Sequence, residues 1–155
     1  MANESLQLLV ELTARARETA ANALAQSRRA EQQMAGQLRT LDQYQCEYRQ
    51  GLQRELAGAG MSPATLANYR GFLKSLEGAI ERAEDNLARH RTQVAQHQET
   101  WRQAWRKVNA IETLLARRLE QARLLEGRAE QRRTDELAGR PRRGGHQASS
   151  LNSGF

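Results

Sequence analysis

The chain contains 155 residues, of which 83 are Ala, Leu, Arg, Lys or Glu, and this composition is typical of long helices and coiled coils. Only five residues are Val or Ile, and 5% are aromatic, which excludes a β-sheet protein and a compact mixed core. The net charge of +6 comes from 24 basic residues interspersed with 18 acidic ones, so charge alone is a weak indication of a nucleic-acid or membrane partner.

The sequence lacks the features expected of enzymes and of exported or membrane-spanning proteins. It has no run of 18 apolar residues and no basic and apolar stretch at its start, so we expect a cytoplasmic protein. The single cysteine, Cys46, excludes a disulfide framework and a cysteine-based zinc motif. No phosphate-binding glycine loop, dinucleotide fingerprint or hydrolase motif occurs. We therefore expect no enzymatic activity, catalytic residue, cofactor or metal.

A first coiled-coil helix is predicted over residues 4–57, because this stretch contains no proline and carries a loose apolar stripe. Gly58 and Gly60 supply its end, and residues 58–61 form the predicted turn. The stripe comprises Leu9, Leu12, Ala16, Ala20, Ala23, Ser27, Ala30, Met34, Leu41, Tyr44 and Tyr48.

A second coiled-coil helix is predicted over residues 62–138, where one heptad register, abcdefg, holds without a break. Ser62 suits the N-cap and Pro63 the first helical position. The a positions are Leu66, Leu73, Ile80, Leu87, Val94, Trp101, Val108, Leu115, Ala122 and Ala129. The d positions are Tyr69, Leu76, Ala83, His90, His97, Ala104, Ile111, Arg118 and Leu125. Gly139 and Pro141 stop the helix, and residues 139–155 are expected to form a disordered tail.

The short connection predicts an all-α fold in which two long helices form an antiparallel coiled-coil hairpin. Folding about residues 59–60 places residue n beside about residue 119 − n. Trp101 and Trp105 then face the region of Ala14 and Ala16, as large-against-small packing requires. His90 and His97 face alanines, which favours polar spacers in the seam over a metal site.

The same rule leaves residues 116–138 as a helical overhang without a partner helix. Residues 117–143 carry nine basic and five acidic residues, interleaved with leucines. An apolar, arginine-flanked helix end of this kind is a candidate partner-binding surface. The alternative to a binding surface is a solvated helix face that carries Glu/Arg pairs. The N-terminal cluster of Leu6, Leu8, Leu9, Val10 and Leu12 is denser than one seam buries, which indicates either fraying or a second contact surface.

Several stretches in the middle of the predicted hairpin and beyond it form a recognisable series. They are Leu41-Asp42-Gln43-Tyr44-Gln45-Cys46-Glu47-Tyr48-Arg49, then Asn68-Tyr69-Arg70-Gly71-Phe72-Leu73, Leu76 and Ala79-Ile80, and later Trp101-Arg102 and Asp135-Glu136. In order, spacing and total length, over about residues 5–140, this series resembles the FliJ family of flagellar export proteins.

The resemblance implies a cytoplasmic stalk of the type III flagellar export apparatus, associated with the inner membrane through its partners. Such a stalk inserts its chain ends into the hexameric export ATPase, promotes assembly of that ring, contacts the cytoplasmic domain of the export gate protein and handles export chaperones. The implied gate contact comprises Gln37, Leu41, Tyr44, Tyr48, Phe72, Leu76 and Ala79, with Ala83 departing from the family pattern. The ring contact that we predict comprises Leu6, Leu9, Arg117, Arg118, Leu119, Arg123, Leu125, Arg128, Arg132 and Arg133.

Two questions stay open at the level of sequence. The predicted seam includes Leu41, Tyr44, Tyr48, Leu76 and Ala83, whereas the resemblance puts them on a surface. Phe72 and Ala79 lie outside the a and d positions and are the clearer surface candidates. The function also has rivals, since the stalk of a non-flagellar type III secretion system shares the architecture and a basic coiled coil could bind nucleic acid. We expect no nucleic-acid partner, because the excess charge is concentrated on the overhang.

Overall fold

The computed structural model describes residues 2–140, with side chains from residue 4 onward. Two helices account for this part of the chain: α1 spans Ala2–Ala57 and α2 spans Pro63–Gly139. They pack against each other, which confirms the predicted helical hairpin. The predicted tail lies outside the described residues from position 141 onward. Neither helix, over the residues described, has a stretch long and apolar enough to cross a membrane.

The turn between the helices is fixed by one glycine and one capping serine. Gly60 has a φ of +80°, a conformation that L residues rarely adopt, and its amide donates a hydrogen bond to the Glu55 carbonyl at 3.2 Å. The Ser62 Oγ accepts a hydrogen bond from the Thr65 amide at 3.2 Å. Ser62 therefore caps α2.

The chain divides into two compact units, and the first comprises residues 1–112. In this unit the heptad register predicted for α2 is confirmed, since each a and d residue from Leu66 to Ile111 is buried or half-buried. Val108 is fully buried. The other buried apolar residues of the described chain are Leu6, Ala20, Leu24, Leu76, Ile80 and Leu87.

The seam face predicted for α1 is partly wrong. Leu9 and Leu12 are 43% and 52% exposed, whereas Leu24 is only 6% exposed. The buried and half-buried residues that face α2 are spaced alternately four and three residues apart. They are Leu6, Val10, Thr13, Arg17, Ala20, Leu24, Ser27, Glu31, Met34, Leu38, Leu41 and Gln45. This stripe includes long polar side chains whose aliphatic stems pack in the seam. The predicted stripe ran instead through the neighbouring alanines Ala16, Ala23 and Ala30.

Contacts across the seam confirm the pairing rule within the first unit. The rings of Tyr48 and Phe72 lie 4.4 Å apart between centroids, and the Arg91 Nε lies 3.6 Å from a Glu31 carboxylate oxygen. Residue numbers in these pairs sum to 120 and 122, close to the predicted 119. Ala14 shares a groove with Trp101 and Trp105 as predicted. Ala16, by contrast, lines a groove on the other side of the seam, with Thr100 and Ala104.

The second unit begins at Thr113, and its described part is the remainder of α2 and Arg140. Only Leu115 and Ala129 are half-buried there, and every other described residue is exposed. The exposed large apolar side chains are Leu114, Leu119, Leu124, Leu125 and Leu137. The apolar side chains of this segment are therefore not buried in a hydrophobic core.

Candidate protein-interaction surfaces

Four aromatic side chains near the turn form what we call the aromatic patch: Tyr44, Tyr48, Tyr69 and Phe72. Tyr48 is central, since its ring centroid lies 4.4 Å from that of Phe72 and 6.2 Å from that of Tyr69. Tyr44, Tyr48 and Phe72 are nevertheless 50%, 41% and 43% exposed. Clustered aromatic rings with this exposure are typical of protein-binding surfaces.

Tyr69 links the patch to the end of α1. Its hydroxyl donates a hydrogen bond to the Glu55 carboxylate at 3.3 Å. The negative charge of Glu55 raises the pKa of Tyr69, and desolvation and the hydrogen bond itself act in the same direction. The sequence had assigned Tyr69 only to the seam, and its i, i+3 spacing from Phe72 was the signal that places it in the patch.

The residues that the resemblance implies for the gate contact lie together along one edge of the hairpin. On α1 they occupy positions 37, 41, 44 and 48. In the register of the Tyr48–Phe72 contact, where the two residue numbers sum to 120, the facing α2 positions are 83, 79, 76 and 72 respectively. Gln37, Tyr44, Tyr48 and Phe72 are exposed, and Leu41 and Ala79 are half-buried. Leu76 is only 8% exposed, so its side chain belongs to the seam beneath the patch. The open question of seam or surface therefore has a different answer for each residue.

This edge is nearly free of charge along the hairpin, and we call it the uncharged edge. With α1 numbered so that Val10 is an a position, the edge is formed by the g positions of both helices. Thirteen of these fourteen residues are uncharged, and Lys107 is the exception. The opposite edge is formed by the e positions of both helices, of which eight of fourteen are charged, and we call it the charged edge. The e and g positions of coiled coils usually carry charges, so this edge is unusual. A protein that packed on it would desolvate few charged groups.

The uncharged edge comprises Leu9, Ala16, Ala23, Ala30, Gln37, Tyr44 and Gly51 of α1 with Thr65, Phe72, Ala79, Asn86, Gln93, Thr100 and Lys107 of α2.

The leucines of the N-terminal cluster, of which Leu6 and Leu9 were predicted for the ring contact, separate into two groups. Leu6 is only 7% exposed and packs in the seam. Leu8, Leu9 and Leu12 are 57%, 43% and 52% exposed. The density of leucines at this end is thus explained by a seam residue beside an exposed cluster.

In the second unit, every residue predicted for a ring contact is exposed. Leu119 and Leu125 are 51% and 64% exposed, among arginines that ring the helix. In the described part of this unit one ion pair forms, between Arg123 and Glu120 at 3.7 Å. The remaining predicted contact arginines, Arg117, Arg118, Arg128, Arg132 and Arg133, have no ion-pair partner among the described residues. Their guanidinium groups are free to pair with acidic groups of another protein.

Comparison with known proteins identifies the family. Residues 1–144 match the family model described as Flagellar FliJ protein. The flagellar FliJ proteins of Salmonella typhi and of Escherichia coli K12 are each 34% identical to this chain over 136 residues, covering 88% of this chain and 92% of each relative. The chain therefore belongs to the FliJ family of flagellar export proteins.

Proposed function

We propose that the chain is a non-enzymatic stalk of the flagellar export apparatus. In this role it binds the hexameric export ATPase and promotes assembly of the ring, contacts the cytoplasmic domain of the export gate protein and handles export chaperones. It acts in the cytoplasm and reaches the inner membrane through its partners. The observation that carries this proposal is the helical second unit, whose leucines and arginines are exposed over residues 116–138.

The charge pattern of the second unit favours a different protein over a second copy as its partner. An antiparallel self-pairing centred on Leu125 would set Arg117 against Arg133 and Arg118 against Arg132. Like charges that face each other in this way oppose association. Burying an exposed leucine in a partner contributes up to about 1.5 to 3 kcal/mol. A ring with an apolar, acidic lining supplies both kinds of contact.

Promotion of ring assembly follows from linkage. A stalk that binds the assembled hexamer more tightly than the separate subunits shifts the equilibrium toward the hexamer by its differential affinity. Because one helix cannot present the same surface to six subunits, contacts with an asymmetric stalk also make the subunits inequivalent. The stalk needs no catalytic group for either effect.

The ring contact is tested in the full-length chain with the double variant Leu119→Ala/Leu125→Ala. Both residues are exposed, so we expect unchanged helicity and a loss of at least tenfold in affinity for the export ATPase. Leu56→Ala is the matched control, since Leu56 is 50% exposed at the end of α1. Isothermal calorimetry with the purified ATPase measures the affinity. Equal affinities for the double variant and the control would contradict the ring contact.

The gate contact is assigned to the aromatic patch and the uncharged edge beside it. Tyr44, Tyr48 and Phe72 present large rings to solvent, and Leu41 and Ala79 on the same edge are half-buried. Exposed aromatic anchors next to small residues are typical of binding hot spots. Leu76 supports these rings from the seam and is not expected to touch the partner.

Phe72→Ala tests the gate contact, because Phe72 is 43% exposed and lies outside the a and d positions. We expect binding to the purified cytoplasmic gate domain to weaken at least tenfold while far-ultraviolet circular dichroism stays unchanged. Arg70→Ala, on the charged edge at the same level, serves as the control. A parallel loss of helicity in Phe72→Ala would instead make Phe72 a packing residue, and unchanged binding would remove it from the contact.

A further inference from the structure

A groove on the charged edge of the hairpin belongs to neither proposed contact surface. We call it the tryptophan groove. Its volume is about 410 Å³, and its walls are Trp101 and Trp105 of α2 with Ala14 and Ala21 of α1. Arg15, Arg17 and Glu18 complete the lining. The groove lies within the first unit, on the opposite side of the seam from Ala16, Ala20 and Ala104.

The exposure of Trp105 is what makes this groove unusual. Its side chain is 45% exposed, whereas that of Trp101, at an a position of the seam, is half-buried. Ala14 and Ala21 are one heptad apart on α1 and are half-buried. Because large rings and two alanines line the same groove, an apolar side chain of a partner can enter it, as a knob enters a hole between neighbouring helices.

The charges around the groove favour an acidic partner. Residues 14–21 and 101–105, the two stretches that contain the lining, carry three basic residues and one acidic residue, Glu18. The basic residues are Arg15, Arg17 and Arg102. None of them forms an ion pair within residues 4–140. Their guanidinium groups are available to carboxylates that approach from solvent.

We propose that the tryptophan groove binds an acidic amphipathic helix of a partner protein. An apolar side chain of that helix enters the groove beside Trp105 and the two alanines, and its flanking carboxylates pair with Arg15, Arg17 and Arg102. Such a helix extends the coiled coil by a third strand along the charged edge. The proposal does not depend on the ring or gate contacts.

A nucleic acid fits the groove less well, even though arginine and tryptophan both occur in nucleic-acid sites. A nucleic acid carries a phosphate at every nucleotide, so a bound strand places a phosphate beside Glu18, which lines the groove. The carboxylates of a helix are dispersed among apolar and neutral side chains, so a helix can avoid this contact. The partner with an apolar side chain and dispersed carboxylates is therefore the better match.

The test uses a synthetic peptide of three heptads with leucine at a and d and glutamate at e and g. Because Trp101 and Trp105 are the only two tryptophans in the chain, their fluorescence reports on the groove directly. We expect the glutamate peptide to shift the emission of the full-length protein to the blue with saturation. The matched lysine peptide is expected to bind at least tenfold more weakly.

Variants of the full-length protein distinguish the groove from other surfaces, with a labelled peptide and fluorescence anisotropy as the readout. We expect Trp105→Ala to weaken peptide binding at least tenfold, Trp105→Phe to retain most of it, and Phe72→Ala on the uncharged edge to leave it unchanged. Unaltered affinity for Trp105→Ala, or equal affinity for the lysine peptide, would overturn the proposal. Tighter binding of oligothymidine than of the glutamate peptide would overturn it in favour of nucleic acid.

Discussion

Two leucine-to-alanine substitutions on α1 provide a sharp test of the seam. Leu24 is 6% exposed and lies in the stripe that faces α2, whereas Leu12 is 52% exposed and lies outside it. The chemical change is the same in both, and both positions lie well inside the same helix. The change in helix propensity is therefore the same for both variants. The difference between their free energies of unfolding measures the packing of Leu24 in the seam.

The expected magnitudes follow from burial. Leu24→Ala removes three carbons from an almost fully covered site, at about 0.8 kcal/mol each, and leaves a cavity, so we expect a cost of about 3 kcal/mol. For a helical chain of this size that lowers the melting temperature by roughly 6 to 12 °C. Leu12→Ala removes a side chain that is half in water already, and we expect less than about 1 kcal/mol.

Urea unfolding followed by far-ultraviolet circular dichroism measures both costs. The slope of the free energy with urea should stay constant, since neither variant changes the surface exposed on unfolding by much. An equal cost for the two variants, or a larger cost for Leu12→Ala, would show that the seam of α1 runs through Leu9 and Leu12 instead.

Three further predictions concern the turn and its neighbourhood. Gly60→Ala should cost about 1 kcal/mol because Gly60 has a φ of +80°, whereas Gly71→Ala, in a helix with open space around it, should stabilise by about 0.5 to 1 kcal/mol; thermal melts compare the two. Ser62→Ala should cost about 1 kcal/mol by removing the N-cap, and a cost near zero in urea unfolding would contradict that role. Glu55 raises the pKa of Tyr69 above 10.0. The protonated Tyr69 hydroxyl therefore stabilises the folded state below pH 10, and this stabilisation is lost as the pH rises through the raised pKa. Glu55→Gln should lower this pKa, and ultraviolet titration of tyrosinate that shows no change would contradict the assignment.

The second helix was predictable from sequence because its seam residues are apolar in almost every heptad. The heptad period of the apolar residues from Leu66 to Ile111 is visible without tertiary information, and the structure buries or half-buries these positions. The first helix was less predictable since Arg17, Glu31 and Gln45 occupy seam positions. Periodicity of hydrophobicity does not detect a polar side chain that packs through its stem. Once α2 is placed, the pairing of Tyr48 with Phe72 fixes the register that the α1 sequence leaves loose.

The candidate surfaces were also only partly predictable from sequence. The aromatic patch was accessible from sequence through resemblance, but exposure of each ring required the packed hairpin, which buries Leu76 and leaves Phe72 in solvent. The pairing rule placed Trp105 against small residues. It did not show that the ring would remain 45% exposed, because side-chain direction at an e position depends on the geometry of the seam.

The central claim is that the second unit promotes assembly of the export ATPase ring. The most direct measurement is sedimentation velocity of the purified ATPase with the full-length chain and with a chain truncated after Ala116. We expect the full-length chain to increase the hexamer fraction and the truncated chain to leave it at the level of the ATPase alone, with its α1–α2 hairpin still helical by circular dichroism. Equal hexamer formation with both chains would contradict the claim.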